Sequence, residues 1–497
     1  RTVACVCDWS FDLPDAITGT QKITVPTGQQ VRLPIDIMLP DSTIPGSYTL
    51  RATFDYGNGQ TQEDSLTLHV LRHRNPPRLK SKIALFDPPG ETAAQLKAAG
   101  MAFQPVDANT DLADYEMLIV GKAALTPGGV APDISRVRDG LRVVVFEQTA
   151  AVLEKRFGFR VTEYGLRWVF PRVPGHPLLA GLDREHLRDW RGSATILPPR
   201  LEYEMQPRHG PTVRWCDIEV PRLWRCGNRG NVASVLIEKP ACGDFLPIVD
   251  GGYSLQYSPL MEYREGRGMI LFCQLDVTAR SESDPVADSI ANRVLAYAAS
   301  WKPAARRTAV YVGEEAGRQH LEASGFGLQR YAGELSAEQV LVVGPGGGTS
   351  LTEDSAAIAQ WLEAGGHLLA IGLDQPEVAF LPSPIGITHR EHIATYFPHP
   401  AWGSFLCGIG PADVHNRDPR MLPLITSGAL IVGDGVLATA DEKENVVFSA
   451  MTPWQFDGSR QWNLKKTHRR SSFLVTRLLA NLGAVTSTPI IDRFHAP

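Results

Sequence analysis

The sequence predicts a multidomain chain in which an N-terminal antiparallel β-sandwich precedes two tandem α/β domains. Three observations predict it. Residues 20–72 alternate apolar and polar side chains in short runs broken by Pro, Gly and an Asn-Gly pair, the period of a half-solvated sheet. From residue 82, short apolar runs alternate with helical stretches, the pattern of a mainly parallel sheet covered on both faces. After residue 302 the same alternation starts again at nearly the same spacing.

Within the first region, "YTLRATFDYGNGQTQEDSLTLHVL" (48–71) reads as a hairpin, with Asn58-Gly59 at the turn position that demands positive φ. "RHRNPPRLKS" (72–81), with two prolines and five basic residues, serves as a linker. The expected domains are therefore 1–77, 78–302 and 303–497. In the second, "KIALFD" (82–87), "YEMLIVG" (115–121) and "LRVVVFEQ" (141–148) are strands. "ETAAQLKAAG" (91–100) is a helix closed by Gly100, and "TAAVLEKRFG" follows the third strand as another. In the third domain "TAVYVG" (308–313), "QVLVVG" (339–344) and "HLLAIG" (367–372) are strands, separated by "EAGRQHLEASG" and "AAIAQWLEAGG" as helices.

The spacings of the two series keep step. Ile83 to Val143 is 60 residues and Ala309 to Leu368 is 59; Val143 to Gly181 is 38 and Leu368 to Gly408 is 40. They part afterwards, Gly181 to Met269 being 88 residues and Gly408 to Val446 being 38, which implies an insertion near 193–257 in the first copy. "GRGMILFCQLDV" (266–277) and "ENVVFSAMTPWQFD" (444–457) then repeat one motif, an apolar strand leaving through polar residues to a carboxylate. Both copies close with similar helices, "NRVLAYAASW" and "TRLLANLGA". The chain reads as one α/β domain present twice.

Composition narrows the function classes. The 497 residues are 43% hydrophobic and 21% charged, ordinary values for a globular protein and too many residues for one core. A net charge of -5 and a pI near 6.3 offer no positive field for a phosphate backbone, so nucleic acid is not an expected partner. No apolar run reaches the roughly 20 residues needed to span a bilayer. The start "RTVACVCDWSF" reads as the edge of something larger, so an upstream segment is expected. The seven cysteines include no paired CxxC cluster, and a disulfide among Cys216, Cys226 and Cys242 stays open. No His-x3-His pair supports a metal, and no cofactor is expected.

In an open α/β sheet, chemistry is sought beyond the carboxyl ends of the strands. Those exits carry Glu147, Gln148 and Thr149 in the first copy and Leu373, Asp374 and Gln375 in the second, with no Ser or Cys on a tight turn between small residues. Glu147 and Gln148 are the candidate catalytic residues. Paired carboxylates about 5–10 Å apart would suit a glycosidase, and Glu147, Glu262, Asp276, Asp374 and Asp457 are available, although lone acids at strand exits are usually caps. A (β/α)8 barrel needs about 250 residues and has no room here.

Three aromatic clusters combine Trp with polar groups as a sugar-binding surface does: "RLWRCGNRGN" (222–231), "YFPHPAWGSF" (396–405) and "MTPWQFDGSRQW" (451–462). Their tryptophans, Trp224, Trp402, Trp454 and Trp462, are the candidate carbohydrate contacts, with core or interface packing as the plainer reading. The basic run "NLKKTHRRSS" (463–472) opposes the dipole of the helix it opens, so its charges should meet acids elsewhere. "GPGGGTS" (344–350) lacks the Gly-Lys-Ser/Thr ending of a phosphate loop and reads as a flexible crossing.

The order of strands and helices, with "GRGMILFCQLDVTARSESDPVADSIANRVLAYA" and "PWQFDGSRQWNLKKTHRRSSFLVTRLLANLG" as closing segments, resembles the class I glutamine amidotransferase-like fold, a flavodoxin-like architecture. More specifically, it resembles the degenerate form of that fold in the accessory regions of large bacterial beta-galactosidase-like glycoside hydrolases, whose immunoglobulin-like modules the N-terminal region is similar to. The resemblance implies a non-catalytic scaffold or oligomerisation region, with the catalytic barrel upstream or on a separate chain and carbohydrate as the substrate. It also implies an oligomer, in a periplasmic or secreted setting. In the active family the elbow carries a Cys nucleophile; the matching positions here are Glu147 to Gln148 and Leu373 to Asp374, so no triad is carried over. The alternatives are a free-standing carbohydrate-binding protein and a hydrolase using the crevice of the first α/β domain.

Overall fold

The computed structural model describes residues 2–29, 31, 33–71, 76–196, 212–215, 218–221, 230–440, 445–456 and 464–495. They form two compact units, Arg1–Asn75 and Pro76–Pro497. Among the described residues no helix is long and apolar enough to cross a membrane.

The first unit is an antiparallel sheet of β1 (Val3–Phe11), β2 (Ile17–Val25), β3 (Gly46–Asp55) and β4 (Thr61–Val70), in the order β2-β1-β3-β4. Alternation along β1 buries Cys5 and Cys7 on one face, where Ile23, Leu33 and Phe54 join them. The second sheet of a sandwich is not formed among the described residues. The segment that should build it, "LPIDIMLPDSTIPG" (33–46), holds Pro34, Pro40 and Pro45, and each proline removes a ladder donor. The β3–β4 connection also departs from the expected turn. It spans residues 56–60, with Gly57 (φ 67°) and Gly59 (φ 84°) supplying the positive φ. Asn58 instead accepts the Gln60 N–H through its side chain at 3.0 Å.

The second unit opens with β5 (Ile83–Phe86), α1 (Glu91–Ala98), β6 (Gln104–Pro105), β7 (Met117–Val120), β8 (Arg142–Val145) and α2 (Ala150–Lys155). Next come β9 (Val161–Leu166), β10 (Phe170–Pro171), β11 (Thr212–Trp215), β12 (Ile218–Pro221) and β13 (Ala233–Glu238). The first half closes with β14 (Asp244–Gly251), β15 (Tyr257–Glu265), β16 (Gly268–Cys273) and α3 (Pro285–Ser300). Asp284 caps α3 by accepting from the backbones of Val286 and Ala287, with Pro285 in the first turn where no donor is lost. The second half runs through β17 (Thr308–Val312), α4 (Glu315–Ala323), β18 (Leu328–Arg330), β19 (Gln339–Val343), α5 (Ser355–Glu363) and β20 (His367–Ile371). It continues through β21 (Gly386–His392), β22 (Arg420–Ser427), β23 (Leu430–Val432), β24 (Leu437–Thr439) and β25 (Val446–Ser449) to α6 (Leu464–Asn481) and α7 (Ile490–His495).

Strand for strand, the two halves share one order. The first sheet contains β6-β5-β7-β8-β16-β15-β14 and the second is β18-β17-β19-β20-β25-β24-β23. In each, five parallel strands are followed by two antiparallel ones. The central strands "MLIV", "RVVV" and "LLAI" lack alternation because both of their faces are covered. The first sheet is widened by β10, β13 and β9. Of the stretch 193–257 expected to be inserted, β14 has its counterpart in β23, so the additional chain lies upstream of β14.

The two halves interlock instead of standing as separate domains divided at 302. The last helix returns to the first half, where Ile490, Ile491 and Phe494 enter the same core as Phe157, Phe159 and Phe272. Arg156 of α2's end donates to the carbonyl of Phe494. A buried cluster couples the halves further. Arg172 donates to Asp250 at 2.7 Å, to Asp413 and to the carbonyl of Gly408, while Lys239 lies 3.2 Å from Asp250 and 3.5 Å from Asp413. All four charged side chains are at most 3% exposed, and two positive charges balance two negative ones. Burial opposes the Asp413 charge, but Arg172 and Lys239 outweigh it and hold the carboxyl below its ordinary range.

Candidate functional site

The exits of β8 and β16 are neighbours because these strands pair in parallel, Val145 opposite Phe272. That places Glu147 and Gln148 beside residues 274–278, at the position where an α/β sheet carries its crevice. Glu147 is fully buried. Its Oε1 accepts from the backbones of Val277 and Thr278 at 2.8 Å and from Thr195 Oγ1 at 3.0 Å; its Oε2 accepts from Thr278 Oγ1 at 2.6 Å. Thr195 also lies 3.1 Å from Asp276 Oδ1, and Ser234 Oγ donates to Asp276 Oδ2 at 2.7 Å. One threonine thus bridges two carboxylates, both without exposed surface.

The electrostatics follow from burial. Desolvation raises the Glu147 pKa against the hydrogen bonds from Thr278 and Thr195. Desolvation, reinforced by the Glu147 charge, pushes Asp276 up to about 7 in spite of the Ser234 bond. Gln148 is spent on structure: its amide donates to the carbonyls of Gly121 and Phe146, and its oxygen accepts from Leu125. Cys273, at the end of β16, is buried, and burial followed by the Glu147 charge drives its thiol well above the usual range, which disfavours the nucleophilic thiolate. Among the described residues, the two acids are therefore held in a buried hydrogen-bond network, and the one cysteine beside them is buried.

The other acids are dispersed. Glu262 is buried on β15 and accepts from Arg264, from Tyr297 Oη at 2.6 Å and from Trp301 Nε1 at 2.8 Å. Asp374, at the exit of β20, caps the following turn and meets His389 at 2.7 Å on the surface. Asp457 lies outside the described residues. In "GPGGGTS" the Glu377 carboxylate accepts the Gly346 N–H at 2.5 Å, and a Cβ at Gly348 would stand 1.9 Å from the Glu377 carbonyl oxygen. A carboxylate thus occupies the place a phosphate would need, and the segment is packed where flexibility was expected. Among the described residues no group of three or more His, Cys, Asp or Glu is placed to hold a metal.

The tryptophans divide. Trp454 packs on the second core, its ring against His320 and its Nε1 donating to Glu314. Trp224 and Trp462 lie outside the described residues, as do Cys216 and Cys226; Cys242 is a free, exposed thiol. Trp402 is 39% exposed and forms part of the wall of a cleft of about 760 Å3 where the two halves meet. The edge of His176 braces its ring at 4.5 Å, and Arg264 lies 6.0 Å from its centre.

Sequence reasoning missed Arg172, Lys239, Asp250 and Asp413, and it missed the cationic residues beside Trp402. No local signal marks them, since their partners lie far away in the chain. For the basic run 463–472, one acid is identified: Arg469 meets Glu238 of the first half at 2.7 Å. No protein-family model matches the chain, and no curated protein matches it.

Proposed function

We propose that this chain is a non-catalytic scaffold of a carbohydrate-active glycoside hydrolase whose catalytic barrel lies outside these 497 residues. On this reading the two halves are degenerate flavodoxin-like domains of the class I glutamine amidotransferase-like type. The shared strand order, five parallel strands with the first two exchanged and then two antiparallel ones, supports that assignment. The carrying observation is Glu147. It stands where the family places its nucleophile, and it is wholly buried with both oxygens engaged. A hydrolase acting through this crevice would need Glu147 to reach a substrate, and no surface of it does.

A scaffold needs its parts tied together, and the buried Arg172, Lys239, Asp250 and Asp413 cluster and the returning helix α7 join the two halves within one compact unit. The partners it would serve are a catalytic glycosidase domain, upstream or on a second chain, and copies of itself.

Two measurements test the reading. Intact mass and light scattering on material from the native source should show this chain within a longer polypeptide or together with a barrel-sized one; a lone, complete 54.4 kDa species defeats the proposal. Glu147→Gln should cost about 1–3 kcal/mol of stability, because an amide N–H then faces donors, and should leave glycosidase turnover of the assembled enzyme unchanged. Loss of turnover at unchanged folding would restore the hydrolase reading.

A further inference from the structure

The cleft beside Trp402 has a composition that the scaffold role does not require. Its floor and rim are built from α3, the 301–307 connection, the 402–407 turn and the end of α6. Five cations line it, Arg264, Arg293, Lys302, Arg306 and Arg307, with one carboxylate, Asp244, while Arg264 is neutralised by the buried Glu262 beside it. Asp244 is already engaged by Arg477 at 2.8 Å and by Arg306 at 3.3 Å. Lys302 and Arg307 meet no carboxylate within ion-pair distance among the described residues, and Lys302 is exposed. Lys302 and Arg307 therefore place two uncompensated positive charges in one cleft, on a chain of net charge -5.

The aromatic part of the wall is held in position. Tyr297 and Trp301 both donate to the buried Glu262, and Arg264 pairs with the same carboxylate. His176 packs edge-to-face with Trp402 and at a tilt against Tyr297, with ring centroids 4.5 and 5.0 Å apart. One buried acid and one histidine therefore fix three aromatic rings and a guanidinium before any ligand arrives, the preorganisation that lowers the cost of binding. The volume of about 760 Å3 falls within the roughly 300–1,000 Å3 of small-molecule sites.

We propose that this cleft binds an anionic saccharide, a sugar whose carboxylate or sulfate meets Lys302, Arg306 and Arg307 while a ring face rests on Trp402 or Trp301. Guanidinium groups match planar oxyanions bidentately, and an indole covers the apolar face of a pyranose. The oxyanion part stands on the cleft alone; the saccharide part rests on the carbohydrate-associated reading above.

Calorimetric titration of the full chain separates the two. The probes are a glucuronate-containing disaccharide, a sulfated disaccharide, cellobiose, inorganic sulfate and AMP. One or both acidic disaccharides should bind, at least tenfold more tightly than cellobiose and inorganic sulfate, with affinity falling as salt rises. Lys302→Ala with Arg307→Ala should weaken that binding about tenfold or more. Arg307→Lys, which preserves the charge, should recover part of it, and Lys302→Ala alone, at an exposed position, guards against misfolding. Equal binding of cellobiose and the uronate would overturn oxyanion recognition. Equal binding of inorganic sulfate, or tighter binding of AMP, would overturn the saccharide assignment, and no binding of any probe would overturn the site. None of these outcomes bears on the scaffold reading, which the mass and assembly measurement decides independently.

Discussion

Replacing Arg172 by leucine removes one guanidinium from a cluster that two halves of the molecule share. Asp250 and Asp413 would keep Lys239 as their remaining ion-pair partner, with Arg470 acting on Asp413 at longer range, and the three side chains left in the cluster, each at most 3% exposed, would sum to -1. The carbonyl of Gly408 would lose the donors that now stand 3.0 and 2.9 Å away. Breaking a buried pair by removing one partner costs about 3–5 kcal/mol, most of it the penalty of the charge left behind. The unit Pro76–Pro497 has 422 residues, and an unfolding entropy of about 2.1 cal/mol/K per residue gives about 0.9 kcal/mol/K. Scanning calorimetry at pH 7 should therefore show a fall in Tm of about 3–6 °C. Adding Asp413→Asn restores a neutral Lys239–Asp250 pair, so the double variant should recover part of the loss. A fall below about 1 °C, or a double variant whose losses simply add, would refute the charge-balance reasoning.

Three further outcomes follow from the same structure. Asp276 is raised to about 7 when folded, against about 3.9 when unfolded, so its neutral form favours the folded state: stability is full below pH 4 and declines as pH rises through 7. Asp276→Asn should flatten that decline in urea midpoints taken between pH 4.5 and 8, and an unchanged slope would show that Asp276 ionises normally. Phe494→Ala opens the first half's core at the returning helix and should cost about 3–5 kcal/mol; a cost near zero would mean α7 does not pack there in solution. Thiol labelling of the native chain with peptide mapping should, among Cys5, Cys7, Cys242, Cys273 and Cys407, mark Cys242 first, and fast reaction of Cys273 would contradict its burial.

Periodicity made the α/β strands legible. The first strands of the two series, at Ile83 and Ala309, and the third, at Val143 and Leu368, occupy corresponding places in their sheets. Strand identity is a local matter, written in runs such as "VVV" and "LLAI", so spacing alone located them. The N-terminal region was less legible: alternation continues through 33–46, but prolines deny that stretch its ladder. For the site, only the positions were readable. Glu147 and Asp276 were visible as strand exits, and Trp402 as an aromatic among polar groups.

What those residues face was decided by the tertiary structure. Whether Glu147 is a reagent or a plug depends on Thr195, Val277 and Thr278, up to 131 residues away. Arg172 and Asp413 meet across 241 residues, and Arg307 joins Trp402 in one cleft only because two sheets pack together. The chain by itself determined the elements and their repetition, since backbone period and capping act over a few residues. Desolvation and Coulomb pairing depend on which surfaces meet, so only the packed molecule settled which charges are buried, balanced or left to bind.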